Sequence, residues 1–135
     1  MQETGGYVVG KLLGVAKPLA SWFAESTVKL STQESSLLLR DATSSYNASS
    51  LSNAGRALTK HPEILDLTKQ TLRTEIRTDV ELNRVAESVV QNIIAEGIKT
   101  TPHLGQYGGK IIQIKIPGGF GARWYSDGKF IGFIN

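Results

Sequence analysis

No cysteine occurs among the 135 residues, so disulfide frameworks, thiolate zinc sites, iron–sulfur clusters and cysteine nucleophiles are excluded. A chain without thiols persists in either redox environment, so compartment stays open. An uninterrupted apolar run is missing as well. Residues 7–23 are apolar but broken by Lys11, Lys17 and Pro18, short of the roughly 20 apolar residues a membrane span needs. The same stretch does not read as a signal peptide, because Glu3 precedes it and no basic segment does. No G-x-x-x-x-G-K-[ST], no G-x-G-x-x-G after a strand, no H-E-x-x-H and no G-x-S-x-G is present. Asp, Glu and His nowhere cluster at metal-ligand spacing, which disfavours a two-metal nuclease and leads us to expect no metal and no cofactor.

What remains is an ordinary globular composition, 40% hydrophobic and 20% charged, in a length suited to one domain with at most a short appendage. The formal charge of +3 is modest, but it is unevenly placed. Residues 99–135 carry five basic side chains (Lys99, Lys110, Lys115, Arg123, Lys129) against Asp127 alone, a net of +4. The preceding 98 residues carry ten basic and eleven acidic side chains, a net of −1. A concentrated positive field at one end most often serves phosphate, although edge strands also carry lysine to discourage aggregation.

The chain reads as helices first and strands last. Gly6, Gly10 and Gly14 recur every four residues, a spacing that marks close packing or a fraying helix. Residues 30–46 suit a helix, and a Ser- and Asn-rich loop follows through Asn53. Pro62 fits a first helical turn, with Ile64, Leu65, Leu72 and Ile76 on shorter helical pieces. Thr78 and Glu81 form a capping-box pattern ahead of Leu82, Val85, Ala86, Val89, Val90, Ile93 and Ile94, an amphipathic repeat that Gly97 would end in a left-handed conformation. Residues 110–116 then alternate, with Ile112, Ile114 and Ile116 on one face and Gln113 and Lys115 on the other. Asp127-Gly128 is a two-residue hairpin signal between residues 122–126 and 129–134. The expected fold is α+β, N-terminal helices packed on a C-terminal antiparallel sheet of at least three strands.

Two histidines are available for chemistry. His61 follows Arg56 and Lys60, which share a face if the segment is helical and repel unless an anion lies between them. A histidine beside a phosphate can take a proton from a ribose hydroxyl or return one to a leaving oxygen. The plainer alternative is that His61 caps the turn beginning at Pro62. His103 lies in Lys99-Thr100-Thr101-Pro102-His103, a loop in which Thr101 could bond phosphate or simply shape the turn. On the sheet, Arg123 and Tyr125 share a face that could also display Lys115, a set suited to phosphate and a stacked base. The competing explanation is a solvated face with snorkelling side chains.

The segment Asn53-Ala54-Gly55-Arg56-Ala57-Leu58-Thr59-Lys60-His61-Pro62 and the ending Pro117-Gly118-Gly119-Phe120-Gly121-Ala122-Arg123-Trp124-Tyr125-Ser126-Asp127-Gly128-Lys129-Phe130-Ile131-Gly132-Phe133-Ile134 resemble C-terminal toxin domains of filamentous-haemagglutinin-like effectors of bacterial contact-dependent growth inhibition. A helical start and a terminal hairpin of this kind are similar to the barnase/EndoU/colicin/RelE nuclease group. The resemblance covers roughly residues 50–135, leaving 1–49 as a helical appendage or linker. It implies an antibacterial, metal-independent endoribonuclease directed at transfer RNA, making a 2′,3′-cyclic phosphate. It implies delivery from a cell-surface effector into the target-cell cytoplasm. The implied partners are RNA, a cognate immunity protein and, as an open alternative, a host activating protein. By the match His61 is the acid or base, with Lys60 and Arg56 orienting phosphate, Arg123 stabilising the transition state, and Tyr125 or Thr101 assisting. Lys99, Lys110 and Lys115 would add nonspecific RNA affinity. The rival reading is a non-enzymatic membrane-active or protein-binding toxin module, with the glycine-spaced N-terminal segment as its active part.

Overall fold

A computed structural model of the chain describes residues 30–135, so the readings placed on residues 1–29, the glycine-spaced segment among them, lie outside the described residues. Among the described residues four α-helices precede the sheet: α1 (Thr32–Ala42), α2 (Asn53–Lys60), α3 (Lys69–Glu75) and α4 (Asp79–Glu96). A 3₁₀ turn, Pro62–Leu65, sits between α2 and α3. Five strands follow, β1 (Ile98–Thr100), β2 (His103–Leu104), β3 (Gly109–Lys115), β4 (Gly121–Tyr125) and β5 (Phe130–Ile134). All pair antiparallel in the order β1-β3-β4-β5, with β2 also on β3. The architecture is the α+β arrangement, helices first and sheet last.

The amphipathic repeat of α4 builds the core. Leu82, Val85, Ala86, Val89, Val90 and Ile93 are fully buried against α1, α2 and the sheet, where Ile114, Ile116, Ala122 and Trp124 meet them. A nonpolar side chain buried this completely contributes about 1.5–3 kcal/mol, so the stripe alone fixes how helices meet sheet. α1 belongs to the same core. Leu38 and Ala42 are buried in it, the Leu38 carbonyl accepts from Trp124 Nε1 at 3.0 Å, and the Asp41 carboxylate accepts from the Phe130 N–H at 2.6 Å.

Several local expectations change for physical reasons. Gly97 ends α4 in extended backbone (φ −85°, ψ 167°), because the next residue already pairs with β3. A Cβ there would lie 2.6 Å from Ile114 Cγ2 and from the Ile93 carbonyl, so close approach is what requires glycine. At Thr78 the hydroxyl accepts from the Glu81 N–H at 3.1 Å, one half of a capping box. The reciprocal box sits a helix earlier, between Thr68 and Thr71. The β4–β5 turn spans three residues instead of two: the Gly128 N–H bonds the Tyr125 carbonyl, and of Asp127 and Gly128 only Gly128 has positive φ (96°). Residues 99–103, expected as loop, form β1 and the start of β2 around a short turn.

Candidate active site

α2 is placed before it is functional. Ser52 caps its start by accepting from the Gly55 N–H at 2.9 Å. Asn83 of α4 then clamps that start, accepting from the Ser52 N–H at 2.9 Å and donating to the Ser50 carbonyl at 2.8 Å. A Cβ at Gly55 would collide with the Asn83 amide oxygen, so glycine is what leaves room for the Asn83 side chain at this crossing. With Ala54, Gly55 and Leu58 buried, the opposite side of α2 carries Arg56 and Lys60 outward, and the helix closes at His61.

That outward side faces the edge strand β5 across a cleft of about 370 Å³. Arg56, Lys60 and His61 line one wall. Arg123, Tyr107 and the whole of β5 line the other, and Tyr46 and Asn53 also contribute to the lining. Three cationic side chains and a histidine therefore share one concavity, with no carboxylate in its lining among the described residues. Arg56 stacks its guanidinium over the Tyr46 ring, 5.1 Å from the centroid, which offsets part of its repulsion with Lys60.

Arg123 owes its aim to sheet register. On β3 it pairs with Gln113, whose amide oxygen accepts from Arg123 Nε at 2.9 Å. On β5 it pairs with Gly132. Register shifts just beyond, where Trp124 pairs with Phe130 and Ile131 is the extra residue, a bulge that re-aims the strand beside the cleft. The Nη end of the guanidinium has no hydrogen-bond partner among the described residues. Gly132 presents open space, with nothing within 4 Å of where a Cβ would stand.

The His61 side chain does not cap the turn at Pro62, which has no side-chain cap bond. Instead its Nδ1 lies 2.9 Å from Glu63 Oε2, and the Asn135 amide donates to that same oxygen at 3.2 Å. Hydrogen bonds from His61, from its own backbone N–H and from Asn135 hold the Glu63 carboxyl below the ordinary glutamate range.

The structure thus brings together four of the expected site residues, His61, Lys60, Arg56 and Arg123. Five do not line this cleft. Tyr125 is 40% exposed and packs edge-on against Tyr107, with ring centroids 6.0 Å apart. Thr101 is exposed on the turn between β1 and β2. Lys99 is tied to Glu34 at 2.7 Å, and Lys115 donates to the Gly119 carbonyl at 2.7 Å. Lys110 pairs with His103 in the β2–β3 ladder and is exposed. The open sheet face expected to display Lys115, Arg123 and Tyr125 is also partly closed, because Ile111 on that face is fully buried. Tyr46, Tyr107, Glu63, Gly132 and Asn135 escaped sequence reasoning. Glu63 alone left a signal, two residues from His61.

An α+β chain with a cation-lined cleft between α2 and β5 has the build of a domain that handles a phosphate backbone. Residues 39–135 match the model of the CdiA C-terminal tRNase toxin domain, and the chain belongs to that family. No curated protein and no solved structure matches it. The family is that of a delivered nuclease toxin with an RNA substrate and, in contact-dependent inhibition, a cognate immunity protein. No helix among the described residues is long and apolar enough to cross a membrane.

Proposed function

We propose that the cleft between α2 and β5 is where this toxin cuts transfer RNA, as a metal-independent endoribonuclease. The observation that carries the reading is the lining itself: His61 with Arg56, Lys60 and Arg123, and no carboxylate in that lining among the described residues. A polyanionic strand is drawn to such a cleft. No group of three or more His, Cys, Asp or Glu among the described residues has the arrangement to hold a metal.

The chemistry follows from the groups present. His61 takes the proton of a ribose 2′-hydroxyl, and the 2′-oxygen attacks the adjacent phosphorus. The bond from phosphorus to the 5′-oxygen breaks, leaving a 2′,3′-cyclic phosphate and a 5′-hydroxyl. The departing oxygen takes a proton from a second donor, for which the Tyr107 and Tyr46 phenols and the Lys60 ammonium are candidates in the cleft. Arg123 presents its Nη fork to the nonbridging oxygens as charge develops on them, the role in which fixed donors contribute most. Arg56 and Lys60 hold the flanking phosphate.

The test is cleavage of transfer RNA by the purified chain in EDTA. RNA ends that accept ligation only after removal of a cyclic phosphate are expected, and His61→Ala should lose about 10²–10⁴-fold in rate, the usual worth of a positioned acid or base. Intact RNA in EDTA, or undiminished activity in His61→Ala, would reject the assignment.

A further inference from the structure

We propose that Glu63, steadied by Asn135, is a positioning residue that keeps the proton of neutral His61 on Nδ1 and so presents a bare Nε2 for catalysis. The inference rests on His61 being the acid–base group of the cleft, and adds what makes it competent. An ionised carboxylate only accepts hydrogen bonds, so a ring nitrogen 2.9 Å from Glu63 Oε2 must carry a hydrogen. In the neutral ring that hydrogen fixes the tautomer, and the lone pair is left on Nε2. An unconstrained histidine favours the opposite tautomer, with its proton on Nε2 and no lone pair there to take up another. The Glu63 contact therefore selects the form a general base needs, as a third group does for the base in nucleophile–base–orienter sites.

The backbone is arranged to keep this pair together. Pro62 lies between the two residues with its φ fixed, and the Ile64 N–H bonds the His61 carbonyl at 3.2 Å, closing the turn that carries both. The Asn135 amide donates to the oxygen that receives His61, across 72 positions of sequence, and holds that carboxylate from the β5 side. Both side chains of the pair are well exposed, 38% and 47%, so the contact adds little to stability. Its consequence is orientation. Among the described residues the other charged groups that line the cleft, Arg56, Lys60 and Arg123, are cations and can act on the ring only by field, having no oxygen to receive its hydrogen.

The experiment is a long-range proton–nitrogen correlation spectrum of the full chain with labelled histidine, recorded near pH 8.5, where histidine is ordinarily neutral. The only other histidine, His103, serves as an internal reference. His61 is expected with its proton on Nδ1 in the native chain and in Glu63→Gln, whose amide oxygen still accepts. In Glu63→Ala it is expected to change to the Nε2 tautomer. In parallel, Glu63→Ala should lose at least tenfold in kcat against transfer RNA with KM little changed, Glu63→Gln should recover most of that loss, and Asn135→Ala should lose less than Glu63→Ala. A native His61 protonated on Nε2, or an unchanged tautomer in Glu63→Ala, overturns the positioning role while leaving a dead His61→Ala, and the reading of the cleft, intact. A fully active His61→Ala overturns both.

Discussion

On the helical wall of the cleft, Arg56, Lys60 and His61 lie within six positions and arrive together because α2 buries its opposite side. On the sheet wall, Arg123 arrives only because three strands pair in one register, with Gln113 on one side and Gly132 on the other. The first wall is local in the chain, its helix start held by Asn83 of α4 and by Asn53, which donates to the Asp41 and Ser44 carbonyls. The second is assembled over long separations and is steadied by α1 through Asp41 and Leu38. A catalytic group can be held by either device. The difference lies in what holds it: a few side-chain contacts at one helix start on the helical wall, the pairing of three strands on the other.

The largest effect expected on the sheet wall comes from Arg123→Ala. Loss of a fixed donor to developing charge costs about 10²–10³-fold in kcat. Cleavage assays should show that fall with the thermal midpoint little changed, since the guanidinium is only partly buried. A wild-type rate would confine the chemistry to the helical wall.

Removing residues 1–49 breaks the comparison from the other side. That deletion takes away Leu38 and Ala42 from the core, the acceptor of Trp124 and the acceptor of the Phe130 N–H. Losing one such buried leucine from a core costs about 2–5 kcal/mol, a large share of a small domain's stability. Calorimetry should find the 50–135 fragment unfolded or melting far lower. A fragment as stable as the whole chain would place the domain boundary near residue 49 and make α1 dispensable to the sheet wall.

Acid should give the smallest effect, and on the helical side. Glu63 is held below the ordinary glutamate range chiefly by His61, and Asp79 below the ordinary aspartate range chiefly by the Ser50 hydroxyl and then Arg73. A carboxyl whose pKa is lower in the folded chain stabilises it fully above its unfolded pKa, and that contribution is lost as pH falls through the folded value. Both groups are exposed, so the melting temperature should stay level from pH 7 to about 5 and sag gently below about 4. Replacing both carboxylates by amides should flatten that sag.

How much could be read in the sequence follows the same division. The α4 stripe, the β3 alternation and the terminal hairpin carry their own periodicity, and each appears in the fold within a residue or two. The helical wall was legible because its three cationic-capable side chains are neighbours in the chain. β1 and β2 were not, since strands of three and two residues have no period and exist only by pairing with β3. Tyr107 was hidden because it reaches the cleft from a 3₁₀ turn after β2. Asn135 was hidden because its partner is 72 residues away. Lys99 and Lys115 read as free charge until the fold supplied Glu34 and the Gly119 carbonyl.

The most direct test fills the cleft without touching a charged group. Gly132 has ordinary backbone and open space where a Cβ would stand, so the series Gly132→Ala, Gly132→Leu and Gly132→Phe should fold and keep every cation and His61 in place. Transfer RNA cleavage is expected to survive in the alanine variant, fall steeply in the leucine variant and vanish in the phenylalanine variant, in step with occupied volume and with melting temperatures held. A folded Gly132→Phe variant that cuts transfer RNA at the native rate would mean that the substrate is cut elsewhere.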